Sequence, residues 1–471
     1  MEETKKYINQ GGTSKEYVAT RNACKLCTPL GACLAYKGIK GCVPIIHGSQ
    51  GCATYIRRYM ISHFREPVDI ASSNFDEGAT IFGGKKNCHL AISNVVKQYK
   101  PEVVAMTTTC LSETIGDDVK QFMNEYINET ELENLPVFVT ASTPSYQGTH
   151  ADGFHEAILG AVSALAQKDK KGEHINIFPG MFSPADMRYL KTVLEQYNLD
   201  YVMLPDYSET LDGSSWSEYK RIPDGGTSKE DIKRTADATL SIEFGKAFNQ
   251  GGISTIRKGQ TKAETAANYL EKSFGVESVT LPWPMGVEAN DLFFKTLSGM
   301  SGTEMPDRYQ KERGRLIDAY ADGHKYVFGK RAIIYGEEDL VLALYRFLNE
   351  IGVDVIVAAS GGKSGVMKKE ITSLAKGKEC PLIMDNTDFE EIATVAEELK
   401  PDLLIGHSKG YYIARNLNIP LVRVGFPIHD RLGGQRMQHI GYEGTNDLFE
   451  RIVNTMIEYN QNQSEVGYKY M

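Results

Sequence analysis

The stretch at positions 103–140, VVAMTTTCLSETIGDDVKQFMNEYINETELENLPVFVT, decides the fold. Its two ends, Val103-Val104-Ala105-Met106 and Val137-Phe138-Val139-Thr140, are short bounded runs rich in β-branched residues. Runs of this kind are typical of buried parallel strands. Between them Asp117 to Tyr126 has helical spacing, so the stretch predicts a β-α-β unit. The same rhythm continues outward. Gly153 to Gln167 predicts an amphipathic helix, and the polar run from Lys168 to Gly172 opens a second block. There the strands are Ile175–Phe178, Tyr201–Leu204, Thr239–Ile242 and Ser278–Leu281, with a helix capped by Ser183 and Pro184 and another from about Lys262 to Phe274. Asp212 to Ser228 reads as a loop.

Glu288 to Lys325 is mostly helical and leads into five short strands at Ala332, Val355, Pro381, Leu403 and Leu421, closed by a helix from Thr445 to Asn460. The fold class is therefore α/β, with three Rossmann-like doubly wound domains and mainly parallel sheets. The expected division is an N-terminal arm at 1–21, then domains at 22–170, 171–300 and 301–471. The arm is expected to drape over a partner or the surface.

Composition narrows the function. The 471 residues are 41% hydrophobic and 24% charged, with a net charge of -9. An acidic chain argues against a nucleic-acid binder, and no apolar run reaches the roughly 20 residues of a membrane span. The N-terminus has no apolar signal core, so a cytoplasmic location is expected. Neither a G-x-G-x-x-G after the first strand nor a G-x-x-x-x-G-K-[ST] is present, leaving NAD or ATP binding unsupported.

Seven of the eight cysteines fall before residue 111. Cys27, Cys52 and Cys110 each stand where a strand or loop hands over to a helix. Unpaired backbone N–H groups and a positive local dipole there favour the thiolate, the form that binds iron. Three sulfurs are too few for a self-contained four-ligand iron–sulfur site, so a partner chain would supply the rest. The competing reading is three cysteines acting as small hydrophobes. Cys24 and Cys27 form a C-x-x-C that could be a zinc half-site or a redox pair. Cys33, Cys42 and Cys380 are expected in cores, and Cys88 is structural. His47 reads as a hydrogen-bonded loop residue or a cluster neighbour, with Gly48 and Gly51 letting backbone approach a bulky ligand. Arg57, Arg58, His63 and Arg65 form a basic segment, either a partner-facing surface or a solvated face. Ser145, after a strand, reads as a plain turn or N-cap residue.

The chain resembles the nitrogenase component 1 superfamily, and within it the β-type subunits. The resemblance is carried by Thr28-Pro29-Leu30-Gly31-Ala32, His47 through Cys52, His63-Phe64-Arg65-Glu66-Pro67, Ile81-Phe82-Gly83-Gly84, Thr108-Thr109-Cys110, Ile115-Gly116-Asp117-Asp118, Thr143-Pro144-Ser145 and Val424-Gly425-Phe426-Pro427. It implies an α-like partner subunit, an α2β2 assembly and an ATP-dependent iron protein as electron donor, with no nucleic acid and no membrane. It places the β half of a P-type [8Fe-7S] cluster on Cys27, Cys52 and Cys110, and a serine that ligates the oxidised cluster on Ser145. Phe82 falls at the docking face for the iron protein, and Tyr55 between the P-cluster and the partner's active-site cluster.

The Cys24-Lys25-Leu26-Cys27 opening and the run Ala53 to Tyr59 look more like the cofactor-assembly scaffold and the nitrogenase-like reductases, including methylthio-alkane reductase. The expected function is a β-type subunit relaying ATP-driven electrons to N2 or C–S bond reduction in the partner. The alternative is a scaffold subunit holding a [4Fe-4S] cluster.

Overall fold

The apolar runs assemble into three sheets in the computed structural model, which describes residues 22–131, 134–146, 148–170, 172–247, 264–375 and 377–465. The first sheet holds β1 (Cys42–His47), β2 (Ala71–Ser72), β3 (Val103–Thr108) and β4 (Val137–Ala141) in the order β2-β1-β3-β4. The second holds β5 (Ile175–Phe178), β6 (Tyr201–Met203), β7 (Leu240–Phe244) and β8 (Glu277–Leu281) in the order β6-β5-β7-β8. The third holds β9 (Arg331–Gly336), β10 (Asp354–Ser360), β11 (Leu382–Met384), β12 (Leu403–Gly406) and β13 (Leu421–Arg423), ordered β11-β10-β9-β12-β13. Neighbouring strands in all three are parallel. The third order is that of a doubly wound sheet, whose ligand crevice lies beyond the carboxyl ends of its strands.

Burial explains the sequence pattern. Every residue of β1 and β3 is buried, so these strands read as continuous apolar runs without alternation. The largest apolar cluster runs from Leu26 to Met456 and draws on all three sheets. The outer faces of the third and first sheets have smaller cores of their own, around Tyr335 and Phe389 and around Ile45 and Met106.

Helix starts follow local capping chemistry. Ser183 is the N-cap that the sequence predicts, with Pro184 in the first turn, and Asp186 completes a capping box with it. The helix expected from Asp117 begins at Val119, because Asp118 accepts from the Gln121 N–H and acts as its N-cap. The C-terminal helix begins at Gly441, earlier than expected.

Helix Thr28–Tyr36 crosses helix His150–Leu165 at backbone contact. A Cβ on Gly31 would lie 1.6 Å from the His150 carbonyl oxygen, and one on Gly153 would lie 1.9 Å from that of Thr28. Only glycine at both positions allows this approach. Ahead of it, Ala23 bridges antiparallel to Asp388 and Cys24 exchanges hydrogen bonds with Thr387 and Gly361, which docks the chain's first described residues on the third sheet. The expectations for residues 1–21, and for the start of the helix near Lys262, lie outside the described residues. Among the described residues no helix is long and apolar enough to cross a membrane.

Candidate functional site

The carboxyl edge of the first sheet carries three cysteines at helix starts. Cys27 is the N-cap of helix Thr28–Tyr36, with Pro29 in the first turn. The Thr28 N–H, an orphan donor at that helix start, donates to Ser145 Oγ at 3.2 Å. Cys52 lies in the first turn of helix Gln50–Phe64, after the N-cap Ser49. Ser49 Oγ donates to Cys52 Sγ at 3.6 Å. Cys110 opens helix Cys110–Ile115, whose N-cap Thr109 makes a capping box with Ser112. The Ser145 N–H donates to Cys110 Sγ at 3.2 Å. One serine, Ser145, thus touches two of the three cysteine-bearing turns.

Although Cys27 is exposed as a residue, partial desolvation of its sulfur holds the thiol above its usual range; a Ser145 hydrogen bond opposes this, the neighbouring Cys110 and Cys52 sulfurs reinforce it, and the Lys409 ammonium lowers it. This corrects the expectation that a helix start depresses the thiol at Cys27. Cys27 and Cys110 are exposed and Cys52 is half-buried, whereas Cys24, Cys33, Cys42 and Cys88 are buried. Three outward sulfurs on one edge, two receiving hydrogen bonds at sulfur, are suited to soft-metal ligation. Among the described residues no group of three or more His, Cys, Asp or Glu side chains converges on a single ion.

The C-x-x-C does not act as a pair. Cys24 packs against the third sheet with Ile333 and Tyr335, and burial pushes its thiol up to about 12. Cys380 is a second correction: it is exposed, since it precedes edge strand β11 where no layer covers it. His47 is fully buried at the end of β1 and pairs with Asp117 through Nε2 at 2.9 Å. Asp117 also accepts from the Gly84 N–H. The hydrogen-bonded reading of His47 is therefore what the structure displays.

Gly48 is required by this chain's own packing, as a Cβ there would meet Thr109 Oγ1 at 2.3 Å. At Gly51 a Cβ would find nothing closer than Ser49 Oγ at 3.8 Å, so that glycine faces open space beside Cys52. The basic segment is not one face. Arg57 donates to Val68 O and pairs with Asp69, Arg65 donates to His429 O, and His63 is buried with Nδ1 accepting the Ile428 N–H at 2.9 Å. Burial pushes His63 down to about 3, so it is neutral.

Tyr55, one turn after Cys52, is 47% exposed and donates to Tyr59 Oη at 2.9 Å. Phe82, at the end of helix Glu77–Phe82, is 88% exposed beside the exposed Ile81. The sequence reading missed Ser49 and Lys409. The first was legible as a cap residue three positions before Cys52. The second gives no local signal, because the third sheet brings it in from far along the chain.

A family model described as "Nitrogenase component 1 type Oxidoreductase" matches residues 27–457. The chain is 37% identical over 453 residues to the nitrogenase molybdenum-iron protein beta chain of Clostridium pasteurianum, covering 95% of this chain and 96% of that one. It is 35% identical over 470 residues to the protein of the same name from Methanothermobacter thermautotrophicus, covering 97% and 98%. Among solved structures, a chain of "Nitrogenase Cp1 at pH 6.5" superposes with a TM-score of 0.91 at 34% identity, covering 99% of both chains. A chain of "Nitrogenase Cp1 at pH 5" shares the fold at 16% identity and a TM-score of 0.68, covering 97% of this chain and 93% of that one.

Proposed function

Because this chain belongs to the nitrogenase component 1 family, as a β-type subunit of an oxidoreductase, we propose that Cys27, Cys52 and Cys110 hold its half of a P-type [8Fe-7S] cluster shared with an α-like partner. The single observation that supports this most is that Cys27, Cys52 and Cys110 stand at three helix starts on one sheet edge, with the Cys27 and Cys110 turns tied through Ser145. The donor set fits the group. Thiolates are the ligands iron–sulfur clusters use, three of them need a partner's complement, and Ser145 and Ser49 already donate to two of the sulfurs.

When bound, such a cluster takes up and passes on electrons at low potential. The rest falls to this chain's residues. Cys27, Cys52 and Cys110 bind through sulfur. The Ser145 N–H and the Ser49 hydroxyl stabilise negative charge on those sulfurs, which favours the reduced state. The buried first-sheet core excludes water from behind them. Ser145 Oγ, within reach of the Cys27 turn, is placed to serve as an additional oxygen ligand. Phe82 offers an exposed aromatic contact to an ATP-dependent iron protein, and Tyr55 faces outward toward the partner. In this reading the chain relays electrons within an α2β2 assembly, and substrate, whether N2 or a C–S compound such as a methylthio-alkane, is reduced in the partner.

The test is iron content and EPR of the anaerobically purified complex with its α-like partner. About eight irons per interface, silent after dithionite and giving a signal on oxidation, is the expected result. About four irons with a reduced [4Fe-4S] signal at the same cysteines would replace this reading with that of an assembly scaffold.

A further inference from the structure

We propose that Lys409 is a positioning residue for the thiol site: its ammonium clamps the carbonyls on either side of Cys24, so that the third sheet holds the turn carrying Cys27 and brings a positive charge to that turn. The inference rests on the reading of Cys27 as a cluster ligand. Lys409 lies in the turn Ser408–Gly410 that follows β12, on a different sheet from any of the three cysteines. Its Nζ donates to Ala23 O at 2.9 Å and reaches Lys25 O at 3.5 Å.

These bonds extend a docked strap. Cys24 N–H donates to Thr387 O, Gly361 N–H donates to Cys24 O, and Leu26 N–H donates to His150 Nδ1 at 3.3 Å. The next residue is Cys27. A turn fixed at four successive residues delivers its sulfur to one place, and Lys409 supplies the only charged anchor among these bonds.

The ammonium is half-buried; burial pushes its pKa down, and the Cys24 and Cys27 sulfurs oppose that. Cys24 stays protonated because burial raises its thiol to about 12. Of the two, Cys27 is the one that becomes a thiolate on ligation, two residues beyond the Lys25 carbonyl that Lys409 reaches. A cation close to a cluster sulfur favours the more negative, reduced state, and net charge is one of the main determinants of cluster potential.

The experiment compares wild type, Lys409→Met and Lys409→Arg as complexes with the α-like partner, using EPR-monitored redox titration and hydrogen exchange of residues 22–27. Lys409→Met is expected to move the midpoint potential of the interface cluster to a more negative value and to speed exchange of the 22–27 amides. Lys409→Arg, which keeps charge and donors, should restore both toward wild type. If Lys409→Met fails to assemble, Lys409→Gln, uncharged but still a donor, is titrated in its place. Equal potentials in wild type and the uncharged variant overturn the proposal, as does wild-type exchange in Lys409→Met. A wild-type complex without an interface cluster would instead remove the functional reading, and the exchange comparison would still test the clamp.

Discussion

The carboxyl edges of the first and third sheets start from the same architecture and end in opposite chemistry. Both present helix starts, with orphan N–H groups, just beyond parallel strands. At the first edge Ser49, Thr109 and Ser145 take up cap and turn positions, and the sulfurs of Cys27, Cys52 and Cys110 are left facing outward. At the third edge, after Gly336, the helix start carries Glu337, Glu338 and Asp339, of which Glu338 and Asp339 are buried and Glu337 half-buried. Glu337 accepts from the N–H groups of Asp339 and Leu340, and Glu338 from Ser364. Asp339 accepts from the N–H groups of Lys246 and Ala247 at 2.7 and 3.0 Å. The third edge keeps a cavity lined by its own carboxylates, Glu337, Glu338 and Asp339, at the position where doubly wound sheets commonly bind phosphates. The fold offers two ligand positions, and the side chains decide which chemistry each presents.

The largest effect that would break this comparison is at the open edge. Cys110→Ala removes one sulfur and the acceptor of the Ser145 N–H, while leaving the buried core untouched. The expected outcome is loss of the eight-iron signal and of iron-protein-dependent turnover, with a change in unfolding free energy below about 1 kcal/mol. Iron analysis, EPR and a thermal melt read all three. Retention of the signal and of turnover would mean that the first edge is no more a ligand site than the third.

The carboxylate-lined edge gives the next effect, which appears in stability and its pH dependence. Burial raises Glu338 to about 8, and raises Asp339 and Glu337 as well. A carboxyl whose pKa is higher folded than unfolded stabilises the fold fully below its unfolded value, and that contribution is lost as pH rises through the folded one. For Glu338 the window runs from its ordinary value of 4.5 to about 8. Glu338→Gln, whose amide oxygen can still accept from Ser364, should flatten the fall in melting temperature across that window. The difference from wild type should grow to on the order of 1–3 kcal/mol by pH 9. Melting curves from pH 5 to 9 that stay parallel for the two proteins would show that Glu338 is already ionised and that burial does not hold its proton.

How far each edge was legible follows from the kind of signal it carries. The strands and the β-α-β rhythm were readable because a buried parallel strand is a bounded apolar run, as at Val103–Met106 and Leu403–Gly406. Cys27, Cys52 and Cys110 were readable because cysteine at three helix starts is chemically unusual. Separation in sequence hid the rest. Nothing local connects Lys409 to Cys27, or Asp339 to the Lys246 and Ala247 amides. The close crossing of Gly31 and Gly153 depends on two helices meeting, which neither helix announces. Cys380 misled because a lone cysteine before a proline resembles core, whereas the strand it precedes lies at a sheet edge. His63 misled because arginines surround it in sequence, although its own side of the helix faces inward.

The smallest effect sharpens the open edge to a single oxygen. Ser145 has two connections that Ser145→Ala separates. Its backbone N–H to Cys110 Sγ survives the substitution. Its hydroxyl, which accepts from Thr28 N–H at 3.2 Å and acts on the Cys27 sulfur, is lost. Loss of the cap costs on the order of 1 kcal/mol, because the Thr28 N–H is left at a helix start without its acceptor. Iron content should stay at the wild-type level, since the three thiols remain. The dithionite-reduced state should likewise look unchanged, while the EPR signal on oxidation should differ if the Ser145 oxygen joins the ligand set in that state. Wild-type spectra in both states, alongside the small stability loss, would reduce Ser145 to a helix cap and leave the open edge with sulfur ligands alone.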